Sequence, residues 1–371
     1  MTAGRTTLKA AIGAAAALLA LAGAPSVTAR VAGSSACDLT TTDRIVAVGD
    51  IHGAHDQFVK ILLAAKVIDA RQRWIAGGAV LVQTGDVVDR GADSKRTLDL
   101  LRRLETEAPR AGGRVVPLVG NHEVMNMLGD LRYVSAGEYQ AFRTSESEAL
   151  RERVSAAVMA RAEAASRTSG ERFDRDGFRD RFMTETPLGL IEHQIAFGPE
   201  GQYGRWLRAR DTVARINGVL FLHGGISPAA AALGCDGINE TVRGELKALP
   251  ADAARIAAFL ATREDGPLWY RGLAVDSEAD RAGDLTTMLE RFQAKAMVIG
   301  HTVAATNRIT TRFGGRVVQI DTGMLGGTIY PGGRASALEI KDGRFEAIYE
   351  DGREQLPIRL ITRNESPSAA R

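Results

Sequence analysis

Ile45-Val46-Ala47-Val48-Gly49-Asp50-Ile51-His52-Gly53 is a run of β-branched and aliphatic residues that ends on Gly-Asp, and a helical pattern follows it from His55 to Ala65. Phe58, Ile61 and Leu62 fall on one face of that pattern, so the segment reads as strand, loop, helix. The rhythm then repeats. Ala79 to Gln83 leads into Gly85-Asp86-Val87-Val88-Asp89-Arg90-Gly91, and Leu98, Leu100, Leu101 and Leu104 recur at helical spacing within Ser94 to Leu104. Val115 to Val119 leads into Gly120-Asn121-His122-Glu123, where a further helix is expected. Three such units in a row predict an α/β fold with a parallel-rich sheet whose strand carboxyl ends carry the chemistry.

Two later strands end in the same way, Gly218 to His223 in His223-Gly224-Gly225 and Ala296 to Ile299 in Gly300-His301-Thr302. Arg316 to Asp321, Ala335 to Lys341 and Arg344 to Tyr349 also read as strands, the last two joined by an Asp342-Gly343 hairpin turn. Residues 146–185 interrupt the pattern with Glu, Arg, Ala and Ser. Their charge-mixed faces predict a solvated helical insertion.

The five strings place metal-ligating groups together. The chain has six histidines in 371 residues, and four of them (His52, His122, His223, His301) lie in these strings. Residues i and i+2 of an extended segment share a face, so Asp50 and His52 offer a carboxylate and an imidazole to one ion. Asp86 has two oxygens with which to bridge a pair of ions, and Asn121, His223 and His301 complete the second. An oxygen and nitrogen shell without thiolate suits two divalent ions of Mn, Fe or Zn. His122 follows a ligand directly and turns away from it, so it is expected to act as a general acid oriented by Asp89. Arg90 is a candidate phosphate clamp, because guanidinium meets phosphate with paired hydrogen bonds. His55 is expected at the surface or as a helix cap, and His193 in packing.

Composition sets outer bounds. With 45% hydrophobic and 25% charged residues, the chain is an ordinary globular protein. Residues 1–29 combine Arg5 and Lys9, an apolar stretch from Ala10 to Ala24 and the small-residue site Val27-Thr28-Ala29. This reads as a cleaved signal peptide, and export to the periplasm or medium is expected, with no stable membrane anchor after cleavage. Its removal takes the formal charge from +2 to zero. A neutral body without Lys/Arg runs argues against nucleic acid as a partner. Residues 30–43 form an N-terminal segment, 44–362 the catalytic domain and 363–371 a frayed tail. Cys37 and Cys235 are the only cysteines, and the sequence leaves open whether they pair.

Taken in order, the strings resemble the phosphoprotein phosphatase family of calcineurin-like metallophosphoesterases, over residues 44 to about 340. The resemblance implies a four-layer α/β/β/α sandwich, ligand roles for Asp50, His52, Asp86, Asn121, His223 and His301, and His122 as acid. Val119 before Gly120-Asn121-His122-Glu123, and Asp321-Thr322-Gly323-Met324 near the C-terminus, depart from the eukaryotic Ser/Thr enzymes. Together with Val124-Met125-Asn126-Met127 and Gly129-Asp130-Leu131-Arg132-Tyr133, they are similar to the bacterial-type Shewanella-like phosphatases. Gly266-Pro267-Leu268-Trp269-Tyr270-Arg271 resembles that branch too, which would make Arg271 a second phosphate contact.

The expected reaction is phosphomonoester hydrolysis by in-line attack of hydroxide from a water shared by the two ions. The substrate would be a phosphoprotein or small phosphomonoester, phosphotyrosine or aryl phosphates first. A nucleotide or dinucleotide polyphosphate hydrolase on the same core, and an inactive metal-binding module, are the alternatives.

Overall fold

A computed structural model describes residues 36–170 and 172–359. The expected signal segment, residues 30–35 of the N-terminal segment and the 363–371 tail lie outside the described residues. Two mixed sheets stack face to face. In the first, β1 (Ile45–Val48), β2 (Val80–Gln83) and β3 (Arg114–Pro117) run parallel, and β9 (Ser336–Lys341), β10 (Arg344–Tyr349) and β11 (Gly352–Arg359) extend the other edge as an antiparallel meander. In the second, the order is β4 (Val213–Ile216), β5 (Val219–Leu222), β6 (Ala296–Ile299), β8 (Val317–Gln319), β7 (Thr310–Arg312), with β5, β6 and β8 parallel.

Side chains alternate across a strand, and these short apolar strands use both faces. Ile45 and Ala47 of β1, Val80 and Val82 of β2, Phe221 of β5 and Val298 of β6 fill the space between the sheets. Val46, Val48, Leu81, Leu220, Leu222, Met297 and Ile299 point outward into a second core that helices cover. On the first sheet those helices are α1 (His55–Ala64), which buries Phe58, Ile61 and Leu62, and α2 (Ser94–Glu107), which buries Leu98, Leu100, Leu101 and Leu104. Two sheets with helices on both outer faces make the four layers. A strand buried on both sides reads as a continuous apolar run, which is why β1, β2, β5 and β6 stand out in the sequence.

Three shorter helices lead from β3 to the insertion and back: α3 (Asn121–Leu128) opens on the third string, α4 (Ala136–Phe142) docks beside it, and α7 (Leu190–Phe197) returns from α5 (Ser147–Ser169) and α6 (Arg175–Glu185). Val154, Val158 and Phe182 of that helix pair share a small separate core with Leu131, Leu190 and Ile191. A disulfide joins Cys37 to Cys235 of α8 (Gly234–Lys247) across 198 residues. The hairpin turn at Asp342 and Gly343 has both residues at positive φ, 50° and 72°, as a type I′ turn requires.

Candidate active site

Six strand ends converge at one edge of the double sheet. β1 delivers Asp50, β2 Asp86, β5 His223, β6 His301 and β8 Asp321, while the loop after β3 delivers Asn121 at the start of α3. The backbone there is bent hard. His52, Asp86, Asp89, Arg90 and His301 hold positive φ between 50° and 73°, a region L-residues avoid at a cost of about 1–3 kcal/mol each. The turns re-aim each side chain into the gap between the sheets. A Cβ at Gly120 would collide with the Asp86 carboxylate and amide, and one at Gly300 with the Asp50 carboxylate, so the string glycines make room for acids from the neighbouring strands.

The polar atoms that converge are carboxylate and amide oxygens and imidazole nitrogens. His223 Nδ1 is 3.0 Å from the Thr84 carbonyl oxygen and donates to it. Its Nε2 lies 2.8 Å from Asn121 Oδ1 and 3.2 Å from Asp86 Oδ2. His52 is turned in the same way: Nδ1 donates to the Val88 carbonyl at 2.9 Å, and Nε2 faces Asp86 Oδ2 at 3.7 Å and Asp50 Oδ2 at 3.9 Å. His301 Nε2 is buried without a partner. Burial pushes the His52 imidazole down to about 3 and holds that of His301 far below the usual range, so both rings stay neutral. Acceptor atoms of Asp86, His223 and His301 lie within 4.8 Å of one another, as do those of His52, Asp86 and His122. Clustered lone pairs on a carboxylate that joins two imidazole groups are the donor set a pair of divalent ions needs.

Charge points the same way. Asp50 is pushed well above the usual carboxylate range by burial and by neighbouring Asp321 and Asp86, while Asp321 is raised to about 6, chiefly by burial. Burial would also raise Asp86, but the imidazoles of His223 and His122 hold it well below the usual range. Three crowded acids in a dry site call for positive charge.

His122 stands at the rim of this cluster. Its Nδ1 lies 2.6 Å from Asp89 Oδ2, and Asp89 is fixed in turn by Asn126 Nδ2 at 2.8 Å. Burial lowers the affinity of His122 for a proton, but the Asp86 charge and the Asp89 hydrogen bond outweigh it and raise the pKa above the usual histidine value. The Arg90 guanidinium reaches His122 Nε2 at 3.3 Å and lies between the Tyr133 and Tyr330 rings, 5.0 and 5.3 Å from their centres. Arg271 approaches from the other side, where Nη1 donates to the His301 carbonyl and to Thr302 Oγ1, both at 2.9 Å.

The structure thus gathers all ten residues singled out from the sequence: Asp50, His52, Asp86, Asp89, Arg90, Asn121, His122, His223, Arg271 and His301. Others were not anticipated. Glu123 Oε2 accepts the amides of Asp86 (2.9 Å) and Gly120 (2.8 Å), and its Oε1 accepts those of Val87 (2.8 Å) and Val88 (3.3 Å), locking two of the loops together. Its place in the third string was the available signal. Asp321 ends β8 on an Asp-Thr-Gly turn and was noted only as a departure from another pattern. Asn126, Tyr133 and Tyr330 carry no local signature that assigns them to the site. His55, expected at the surface, is buried at the first turn of α1 with Nδ1 unpartnered, because the tight Gly53-Ala54 entry folds that turn against the core.

Comparison with known proteins agrees with this geometry. Residues 43–305 match the family of calcineurin-like phosphoesterases. An uncharacterized protein of Schizosaccharomyces pombe is 31% identical over 82% of this chain and 80% of its own length. Shewanella-like protein phosphatase 2 of Arabidopsis thaliana is 29% identical over 76% of this chain and 71% of its own. Among solved structures, the cold-active protein-tyrosine phosphatase of a psychrophilic Shewanella species superposes with a TM-score of 0.62 at 27% identity, covering 90% of this chain and 89% of that one.

Proposed function

The chain belongs to the calcineurin-like phosphoesterase family, within its Shewanella-like phosphatases, and is a metal-dependent phosphatase; on that premise we propose how its residues divide the work. Asp50, His52 and Asp86 would hold one divalent ion, and Asp86, Asn121, His223 and His301 would hold the other. When bound, the ions supply Lewis-acid charge to the phosphoryl oxygens and activate the attacking water, as Mn, Fe or Zn can. The observation that carries this reading is the convergence of His223 Nε2, Asn121 Oδ1 and Asp86 Oδ2, brought together from three strand ends, beside a buried and unpartnered His301 Nε2.

Arg90 and Arg271 flank the cluster and grip the phosphoryl oxygens. Asp89 fixes the His122 ring so that Nε2 lies between Arg90 and Asp86, where it would give its proton to the departing oxygen. The substrate is a phosphomonoester, with phosphotyrosine or aryl phosphates favoured. Support comes from the tyrosine phosphatase neighbour and from the aromatic residues around Arg90. The Cys37–Cys235 disulfide, together with the N-terminal signal pattern, supports an exported, oxidising location.

The test is a panel assay of the chain from Arg30, with and without Mn, beside Asp86→Asn. The panel holds p-nitrophenyl phosphate, its bis-ester, phosphotyrosine and phosphothreonine peptides, and diadenosine tetraphosphate. Mn-dependent turnover of the monoesters that Asp86→Asn abolishes is the expected result. Turnover of the diester or dinucleotide alone would overturn it.

A further inference from the structure

Tyr133 has no part in the ion cluster, yet it stands at the mouth of the site. It is 42% exposed, whereas His122 beside it is 2% exposed. The two ring centres are 5.0 Å apart at an interplanar angle of 46°. The Tyr133 backbone is held in place, since its carbonyl accepts the Arg90 amide at 2.8 Å. The ring is therefore fixed to the loop that carries Asp89 and Arg90.

In-line displacement puts nucleophile and leaving group on opposite sides of phosphorus. If attack comes from the side of the Asp50 and Asp86 carboxylates and His122 is the acid, the departing oxygen lies at His122 Nε2, and whatever it is bonded to extends beyond that atom. Asp89 and Asn126 close the space behind the ring, and Tyr330 closes another side, stacked on His52 at 5.8 Å. Of the two tyrosines that flank Arg90 beside Nε2, Tyr133 is the exposed one.

We infer that Tyr133 is a specificity-determining residue whose ring packs against the aryl group of the departing phenoxide, favouring phosphotyrosine and aryl phosphates over alkyl phosphates. This rests on the phosphomonoesterase reading above. A phenyl leaving group presents a face or edge to the ring, and such aromatic pairs are worth enough to change a rate by about tenfold. A serine-type leaving group offers only a methylene.

The experiment compares the wild-type chain, Tyr133→Phe and Tyr133→Ala with Mn, on phosphotyrosine and phosphoserine placed in one peptide sequence. Taking each variant's kcat/KM relative to wild type cancels the difference in leaving-group basicity. Tyr133→Ala is expected to lower the tyrosine-to-serine ratio about tenfold, and Tyr133→Phe to keep it within about twofold. Equal loss on both peptides, or no loss on either, would overturn the assignment. So would a matching weakening of inhibition by inorganic phosphate, which would make Tyr133 a support for Arg90. Wild-type inactivity toward every monoester would instead sink the phosphomonoesterase reading beneath it.

Discussion

The hydrogen bond from His122 Nδ1 to Asp89 fixes which face of the buried imidazole is left for other partners. If that face protonates the leaving group, its loss matters most where the leaving group is most basic. His122→Ala should lower kcat about 10²–10⁴-fold on alkyl phosphates and markedly less on p-nitrophenyl phosphate, a difference read from a leaving-group series. Equal loss across the series would remove the acid role. A second histidine makes a stability prediction far from the cluster. His193 is packed among Tyr139, Phe142 and Phe197, and burial lowers its pKa from 6.5 to about 3. Glu138 lies 4.0 Å away, but burial pushes its carboxyl well above the usual range, so the pair is neutral. Above pH 6.5 neither folded nor unfolded chain protonates this ring. Below it, the unfolded chain takes up a proton that the folded one refuses until about pH 3, so stability falls by about 1.4 kcal/mol per pH unit. Urea midpoints of His193→Phe should lose that slope between pH 6 and 4, and an unchanged slope would refute the assignment.

At the scale of elements, the loop after β2 depends on a residue that belongs to a helix. Glu123 of α3 accepts four amides from that loop and from Gly120. Glu123→Ala leaves buried donors unpaired and should cost roughly 3–5 kcal/mol in urea unfolding; a change under about 1 kcal/mol would show that the loop holds itself. The sequence revealed the elements whose burial is one-sided or complete. β1, β2, β5 and β6 are continuous apolar runs, and α1 and α2 carry clear stripes. It did not reveal β11, because Gly352-Arg353-Glu354-Gln355-Leu356-Pro357 is an edge strand with a proline and charged side chains, a composition that suits an edge and also suits a loop. The convergent polar cluster was legible because its residues sit in strings next to strands. Tyr133 and Tyr330 were not, because what makes them neighbours is the meeting of two distant loops around Arg90.

Across the whole molecule, the disulfide closes a loop between Cys37 and Cys235 with a separation of 198 residues. Replacing both cysteines by serine should lower stability by about 2–5 kcal/mol, measured by urea unfolding with and without reductant. Wild type under reductant should match the double variant, and a wild type indifferent to reductant would show that the bridge contributes nothing. The cluster itself also spans the molecule. The amide of His301, from the second sheet, donates to both oxygens of Asp50, from the first, at 3.0 and 3.2 Å, and Asp86 meets His223 across the same seam. These partners are separated by up to 251 positions in the chain, so their meeting belongs to the slow, non-local end of folding. Capture of the proposed ions would then be a late kinetic event: a half-formed chain holds only fragments of the binding set, and a metal would arrive as a seal on a finished fold rather than as its nucleus.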